Sequence, residues 1–424
     1  MRQITKIRFV VAFVGFTFVS ACGKKTKGDE TEEAHAGVPS EVVAQQAAAT
    51  ASPFVCLQKK TPAEFVTTLV QDAFRRGPTP EELKRASDPA FDYKKTVEWA
   101  VAQPELLNGV AYFVSNLLRI EQNLKATPNN AIDAALVADL KQEPVVLVQR
   151  SMDKPWPELF TTRKIYCTSR TAPLYRYPVD TSISGFVDCE MEQERSGILG
   201  LVSVLRGFTS AFYLVNNNYH RVNIATYLAQ GLQLAAKTDG PTGEGRPIPM
   251  DACVPQSDNR VAAGGLVFGA AAVPKSGAVC AGCHAIYQGP MSGAFMQFGE
   301  QGQILDLANI DQLNNNIITD NGATRDQLKD ILKGGTKSCF RVNGPNTPPR
   351  DYIGLPGLGR IISESTVLGR ALAIQIQQNL MNRNPDETAT IETVAGYESG
   401  GKTLKAALTG YFASNVYQCG IRGE

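Results

Sequence analysis

Apolar residues recur at helical spacing along most of this chain. Thr61-Pro62-Ala63-Glu64 reads as a capping box with proline at the first helical position. After it, Phe65, Val66, Leu69, Val70, Ala73 and Phe74 fall on one helical face. Thr79-Pro80-Glu81-Glu82 repeats the start signal, a third periodic stretch begins near Thr96, and a fourth runs from Leu106 to Ile120. Residues 144–190 lose the period and gain Pro, Tyr and Thr, which predicts irregular structure with short strands. Helical spacing returns near Ser196–Leu205, Asn223–Ala236, Thr324–Lys333, Arg360–Met381 and Thr403–Tyr417, with a Gly/Pro loop at Gly240–Asp258. The expected class is mainly α, with Trp99 and Trp156 as core anchors.

The first residues follow a different logic. Arg2, Lys6 and Arg8 precede an uncharged apolar run from Phe9 to Val19, shorter than the roughly 20 residues a membrane span needs. The run ends in Val19-Ser20-Ala21-Cys22, which resembles a bacterial lipobox. That resemblance implies a signal peptide over 1–21, cleavage before Cys22, and acyl chains on Cys22 that together anchor the protein to a membrane. An ordinary secretory signal with a chance cysteine is the alternative. Gly23 in place of an acidic residue resembles the pattern sent on to the outer membrane, so the expected location is the cell envelope, facing the periplasm. Residues 22–53 are charged and Ala-rich, which reads as a flexible tether, and His35 inside it makes a poor ligand candidate.

Composition narrows the chemistry. In 424 residues, 42 Lys+Arg nearly cancel 41 Asp+Glu, so the basic excess that phosphate contacts require is missing and a nucleic-acid partner is not expected. With 43% hydrophobic residues the chain can bury a substantial core, and its length allows two or three domains. Export places the cysteines in an oxidising compartment. Of the nine, Cys22 is assigned to lipid and Cys280/Cys283 to the motif below. Cys56, Cys167, Cys189, Cys253, Cys339 and Cys419 remain for three disulfides, in any of 15 connectivities. Cys167–Cys189 is favoured because it closes a short loop.

The chemistry concentrates in Val279-Cys280-Ala281-Gly282-Cys283-His284. C-x-x-C-H is the attachment signature of c-type haem: two thiols one turn apart add to the vinyl groups on one porphyrin edge, and the following imidazole meets the iron. A dithiol redox pair or a plain disulfide is the other reading of C-x-x-C. No second C-x-x-C or neighbouring Cys/His pair completes a zinc site. The expected cofactor is therefore one covalent haem c, held by Cys280 and Cys283 and ligated by His284. For the sixth iron position the candidates are Met296, then Met291 and His220, or an open site. Met296 stands first because the 12 residues from His284 give a loop of about 40 Å contour, enough to round the ring.

Gly396-Tyr397-Glu398-Ser399-Gly400-Gly401-Lys402-Thr403 also fits the phosphate-cradling G-x-x-x-x-G-K-T pattern. Only 21 residues follow Thr403, too few for the downstream strands of such a domain. The glycines are expected to form a turn before a helix starting near Thr403, and no nucleotide is expected. No nucleophile–base arrangement can be read, and His220 has no neighbouring motif to recommend it for one.

Several patches carry a family resemblance. They are Phe65–Leu83 (F-V-x-x-L, then R-R-x-P-T-P-E-E-L), Asp153-Lys154-Pro155-Trp156-Pro157-Glu158-Leu159, and Arg195-Ser196-Gly197-Ile198-Leu199-Gly200. To these add Gly289-Pro290 with Phe298 and Gly302, then Leu358-Gly359-Arg360-Ile361-Ile362-Ser363-Glu364-Ser365, and the end of the helix at Arg383. In this order they resemble the large planctomycete-type exported c-type cytochromes, whose domains are mostly uncharacterised. Gly289 stands where that family usually has Asp, which leaves no carboxylate role there.

The resemblance implies an envelope haem protein and supplies no substrate. The layout expected is a helical N-terminal domain (54–143), a middle segment (144–240), a cytochrome c-like helical haem domain (241–345) and a C-terminal helical segment (346–424). The function expected is electron transfer with redox partner proteins of the envelope, by a carrier rather than a substrate-converting enzyme. A peroxidase-like haem oxidoreductase with an open sixth site is the second reading. An envelope binding or adhesion lipoprotein with a structural motif is the third.

Overall fold

The computed structural model describes residues 54–124, 133–178, 182, 184–206, 213–231, 293–295, 298, 302, 304, 337–343 and 347–422. They belong to one compact unit, 45–424. The two capping boxes form as the sequence dictates. Thr61 caps α1 (Pro62–Phe74) and Thr79 caps α2 (Pro80–Ala86), each with its N3 glutamate reaching back to the cap amide. Every apolar position predicted for α1 is buried. Full burial of such side chains stabilises by about 2 kcal/mol each. Asp92 caps α3 (Tyr93–Val101), which begins a turn before the expected start, and α4 covers Leu106–Leu117. A single turn, α5 (Ile120–Asn123), closes this group.

The period-based boundary at residue 144 shifts. Helix α6 runs from Ala134 to Gln149 through Pro144, because Leu140, Val145, Leu147 and Val148 are all buried and their packing outweighs the lost backbone bond. Beyond it the chain is irregular, as expected. A 3-10 turn at Trp156–Phe160 leads into β2 (Lys164–Cys167), which pairs antiparallel with β3 (Val187–Glu190), β1 being Cys56–Lys59 at the start of the described chain. The expected Cys167–Cys189 disulfide ties this hairpin, with Cα atoms 6.0 Å apart. Trp156 is buried; Trp99 is only half-buried and stacks under the Arg85 guanidinium, 4.3 Å from the ring centre.

A 3-10 turn at Ile198–Gly200 precedes α7 (Val202–Arg206), and α8 spans Tyr213–Gln230. Helix α8 includes the first part of the helix expected at Asn223–Ala236; its end at 232–236, the helix expected at 324–333 and the loop at 240–258 lie outside the described residues. Later, β4 (Lys337–Phe340) pairs with β5 (Arg350–Ile353), which leads straight into α9 (Gly354–Ser363). The stretch expected as one helix over 360–381 is instead α9, a break, and α10 (Leu368–Gln375) continuing into a π turn at Ile376–Leu380. Helices α11 (Glu387–Ser399), α12 (Leu404–Phe412) and α13 (Asn415–Gln418) follow, capped by Asp386, Thr403 and Ser414.

The fold is mainly α. The two ends of the described chain meet: β6 (Cys419–Arg422) pairs antiparallel with β1, and Cys56 is bonded to Cys419. Phe65 of α1 packs edge-on against Tyr93 at 4.9 Å and Tyr417 at 5.9 Å, so α1, α3 and α13 share one aromatic knot. Tyr417 also donates to Asp72, whose carboxyl is raised above its ordinary range by burial. Among the described residues, no helix is long and apolar enough to cross a membrane.

The Cys56–Cys419 and Cys167–Cys189 disulfides close loops of very different length, with sequence separations of 363 and 22. Chain-entropy reasoning gives about 6 kcal/mol for the first and about 3 kcal/mol for the second. In urea unfolding, the Cys56→Ser/Cys419→Ser pair is therefore expected to lose more stability than Cys167→Ser/Cys189→Ser. An equal or reversed order would show that the ends are held by packing alone.

Candidate functional site: the anchored segment after the C-x-x-C-H motif

Cys22, Cys280, Cys283, His284, Met291 and Met296 lie outside the described residues, as does Cys253. His220 lies in α8, one residue before Arg221, and only its backbone is described. As a donor set, two thiols separated by two residues and an adjoining imidazole fit covalent haem. The structure shows in detail how the chain just beyond the motif is held.

That chain forms a short 3-10 turn, Gly293–Phe295, followed by an antiparallel bridge between Phe298 and Ile304. Ala294, Phe295 and Phe298 are buried. An irregular backbone buried this way must find partners for its carbonyls. Two buried arginines supply them. Arg195, fully buried, donates from one terminal nitrogen to the Gly302 carbonyl at 2.7 Å and from the other to the Gly200 carbonyl at 3.0 Å. Its Nε reaches Glu192 at 2.7 Å. Its guanidinium sits between the rings of Tyr175 and Phe298, 5.2 Å from each centre. Arg221 of α8 donates to the Leu205 carbonyl at 2.8 Å and to the Phe298 carbonyl at 3.1 Å.

Behind Arg195 lies a buried carboxyl. The Tyr175 hydroxyl donates to Glu143 at 3.0 Å and accepts from the Val202 amide at 2.8 Å. Glu143 is wholly buried on α6, and desolvation pushes its carboxyl up to about 7 against the pull of the Tyr175, Ser203 and Thr171 hydroxyls. Burial and the neighbouring carboxyl push Tyr175 up as well.

The patches singled out in the sequence converge around this cluster. The Ser196 hydroxyl donates to the Phe160 carbonyl at 2.8 Å, and the Gly197 amide donates to Thr162 at 2.8 Å. Helix α9 packs on both the Trp156–Phe160 turn and the Gly293–Phe295 turn. Gly197 has φ +52 and no room for a Cβ beside the Leu159 carbonyl. At Gly359 a Cβ would collide with the Phe160 carbonyl. The Trp156 amide donates to the Lys402 carbonyl at 2.8 Å, which brings in the Gly-rich stretch. There Gly396–Ser399 end α11 and Thr403 caps α12, the expected turn before a helix, with a helix where a phosphate loop would have a strand.

Arg195 was legible as part of a patch; Glu143, Tyr175 and Arg221 were not. The signal for Glu143 was a lone carboxylate leading the apolar run Pro144-Val145-Val146-Leu147-Val148. Among the described residues, no three His, Cys, Asp or Glu side chains stand together as a metal site. No family model matches the chain, and no curated protein or solved structure proves similar to it.

Two substitutions test the anchoring. Arg195→Lys keeps the charge but cannot serve Glu192, Gly200 and Gly302 together, and is expected to cost about 2–3 kcal/mol. Gly359→Ala forces α9 away from Phe160, at about 1–3 kcal/mol. Both are read as urea-midpoint shifts, and a neutral result for either would remove that contact from the account.

Proposed function

We propose that this chain is a lipid-anchored monohaem c-type cytochrome that carries electrons between redox partner proteins of a bacterial cell envelope. The observation that carries this reading is Cys280-Ala281-Gly282-Cys283-His284 in a chain that opens with an export signal and Cys22. Disulfides at Cys56–Cys419 and Cys167–Cys189, and a further one engaging Cys339, support an oxidising compartment.

Cys280 and Cys283 would hold the group through thioether bonds, and His284 would ligate its iron from the proximal side. When bound, the haem supplies a one-electron iron couple whose potential depends on axial ligand and burial. The rest is work for the chain. Arg195 and Arg221 hold the main chain at Gly302 and Phe298, and Phe295 is buried. Met296 stands ahead of Met291 as the proposed sixth ligand because the 12 residues from His284 give a loop of about 40 Å contour, enough to round the ring. His220 stays in contention from α8. The N-terminal helices would present a surface to the partner.

Expression of residues 22–424 with haem c maturation machinery should give a c-type reduced pyridine haemochrome spectrum. The spectrum should vanish in Cys280→Ala/Cys283→Ala. Low-spin iron in the intact protein and a high-spin shift in Met296→Ala are expected for a carrier. High-spin iron in the unmutated protein, with ready cyanide binding, would point to an enzyme instead. A colourless but folded protein would overturn the haem assignment.

A further inference from the structure

Glu143 and Ser203 pose a problem that the anchoring role does not explain. Both are buried, and neither Glu143 Oε1 nor Ser203 Oγ meets a hydrogen-bond partner. Oε2 is satisfied by the Tyr175 hydroxyl. An ionised carboxylate offers acceptors only, so a dry Oε1 leaves charge and lone pairs unpaired. The Ser203 hydroxyl can serve either form of Oε1, so the ionised form is disfavoured by the desolvation of a wholly buried group rather than by a missing hydrogen bond.

The surroundings offer little to neutralise a charge. Helix α4, packed on α6, carries no charged residue. From α7 come Ser203 and Arg206, whose guanidinium is itself made less basic by burial. From β2 come Lys164, exposed, and Tyr166, half-buried. Thr171 and Tyr175 contribute hydroxyls. Arg195 stands over the Tyr175 ring, 5.2 Å from its centre, and is committed to Glu192, Gly200 and Gly302.

We propose that the Glu143 carboxyl is a buried proton-binding site whose ionisation loosens the Arg195 hold on Gly302, so that the main chain at Gly302 is anchored while the site is protonated. A buried negative charge beside Tyr175 draws the Arg195 guanidinium, or water, toward α6. The bond to the Gly302 carbonyl competes directly with that pull. The element with two arrangements is the Arg195 side chain. The inference stands whether or not the motif binds haem.

The sign follows from the raised carboxyl. The folded state favours the protonated form, so the contribution of this site is complete below the ordinary carboxylate value of 4.5 and is lost as pH rises to about 7. Above pH 8 the site adds no further dependence.

Hydrogen exchange of the full chain between pH 5 and 8.5, expressed as protection factors to remove the intrinsic pH effect, reads the anchoring at the peptide covering Phe298 and Gly302. Protection should fall about tenfold or more across this range, with a midpoint near 7. Glu143→Gln keeps an acceptor for Tyr175 and cannot ionise, so it should stay protected at pH 8.5. Tyr175→Phe removes a bond that favours the carboxylate, so its midpoint should move to higher pH; this second variant decides the matter if Glu143→Gln fails to fold. Constant protection in the unmutated chain, an unchanged fall in Glu143→Gln, or an unmoved midpoint in Tyr175→Phe would each overturn the proposal.

Discussion

A guanidinium sealed from water must have its donors matched, and Arg195 meets that requirement by gathering chain segments that are otherwise remote. Its acceptors lie on Glu192, on the turn at Gly200 and on Gly302, more than 100 residues further along. Desolvating such a group costs several kcal/mol unless the geometry is good. The packing around it is correspondingly tight: aromatic rings above and below, and glycines at 197 and 359 where backbones touch. The irregular middle of the chain has few backbone ladders of its own. Its order derives from side chains that bind main-chain carbonyls.

This arrangement also bears on the chemistry assigned to the motif. A segment following a haem site has to be held somewhere if it is to offer a ligand in a fixed place. Arg195 and Arg221 hold it from two different elements, the turn before α7 and the helix α8. Both bond to carbonyls, so the identity of the side chains between Phe295 and Gly302 is free to serve another purpose. On the proposed reading, stability and ligation would fall to different atoms of the same segment.

Local physics made the helices readable. Caps at Thr61, Thr79 and Thr403 are short-range events, and the apolar face of α1 follows from spacing alone. The loop-closure preference that picked Cys167–Cys189 works for the same reason: the partners are close in sequence. What spacing cannot reveal is which faces meet. Nothing in the period of α6 announces that Pro144 will be carried inside it, or that Glu143 will face Tyr175 rather than solvent. The break between α9 and α10 falls at Ser363-Glu364-Ser365-Thr366, a short polar run that the helical spacing on either side bridges. The proposed role of Cys280, Cys283 and His284 rests on the sequence alone, since these residues lie outside the described ones.

The bond between Cys56 and Cys419 has a mechanical meaning. If the chain hangs from a lipid at Cys22, any drag on the globular part enters through the strand at Cys56. Without the cross-link, that force would peel β1 from β6 and then pull α1 out of the aromatic knot around Phe65. With it, the load passes across one covalent bridge to the far end of the polypeptide, and everything between becomes a closed ring under no tension. A protease cut within that ring would leave the two pieces on the same tether.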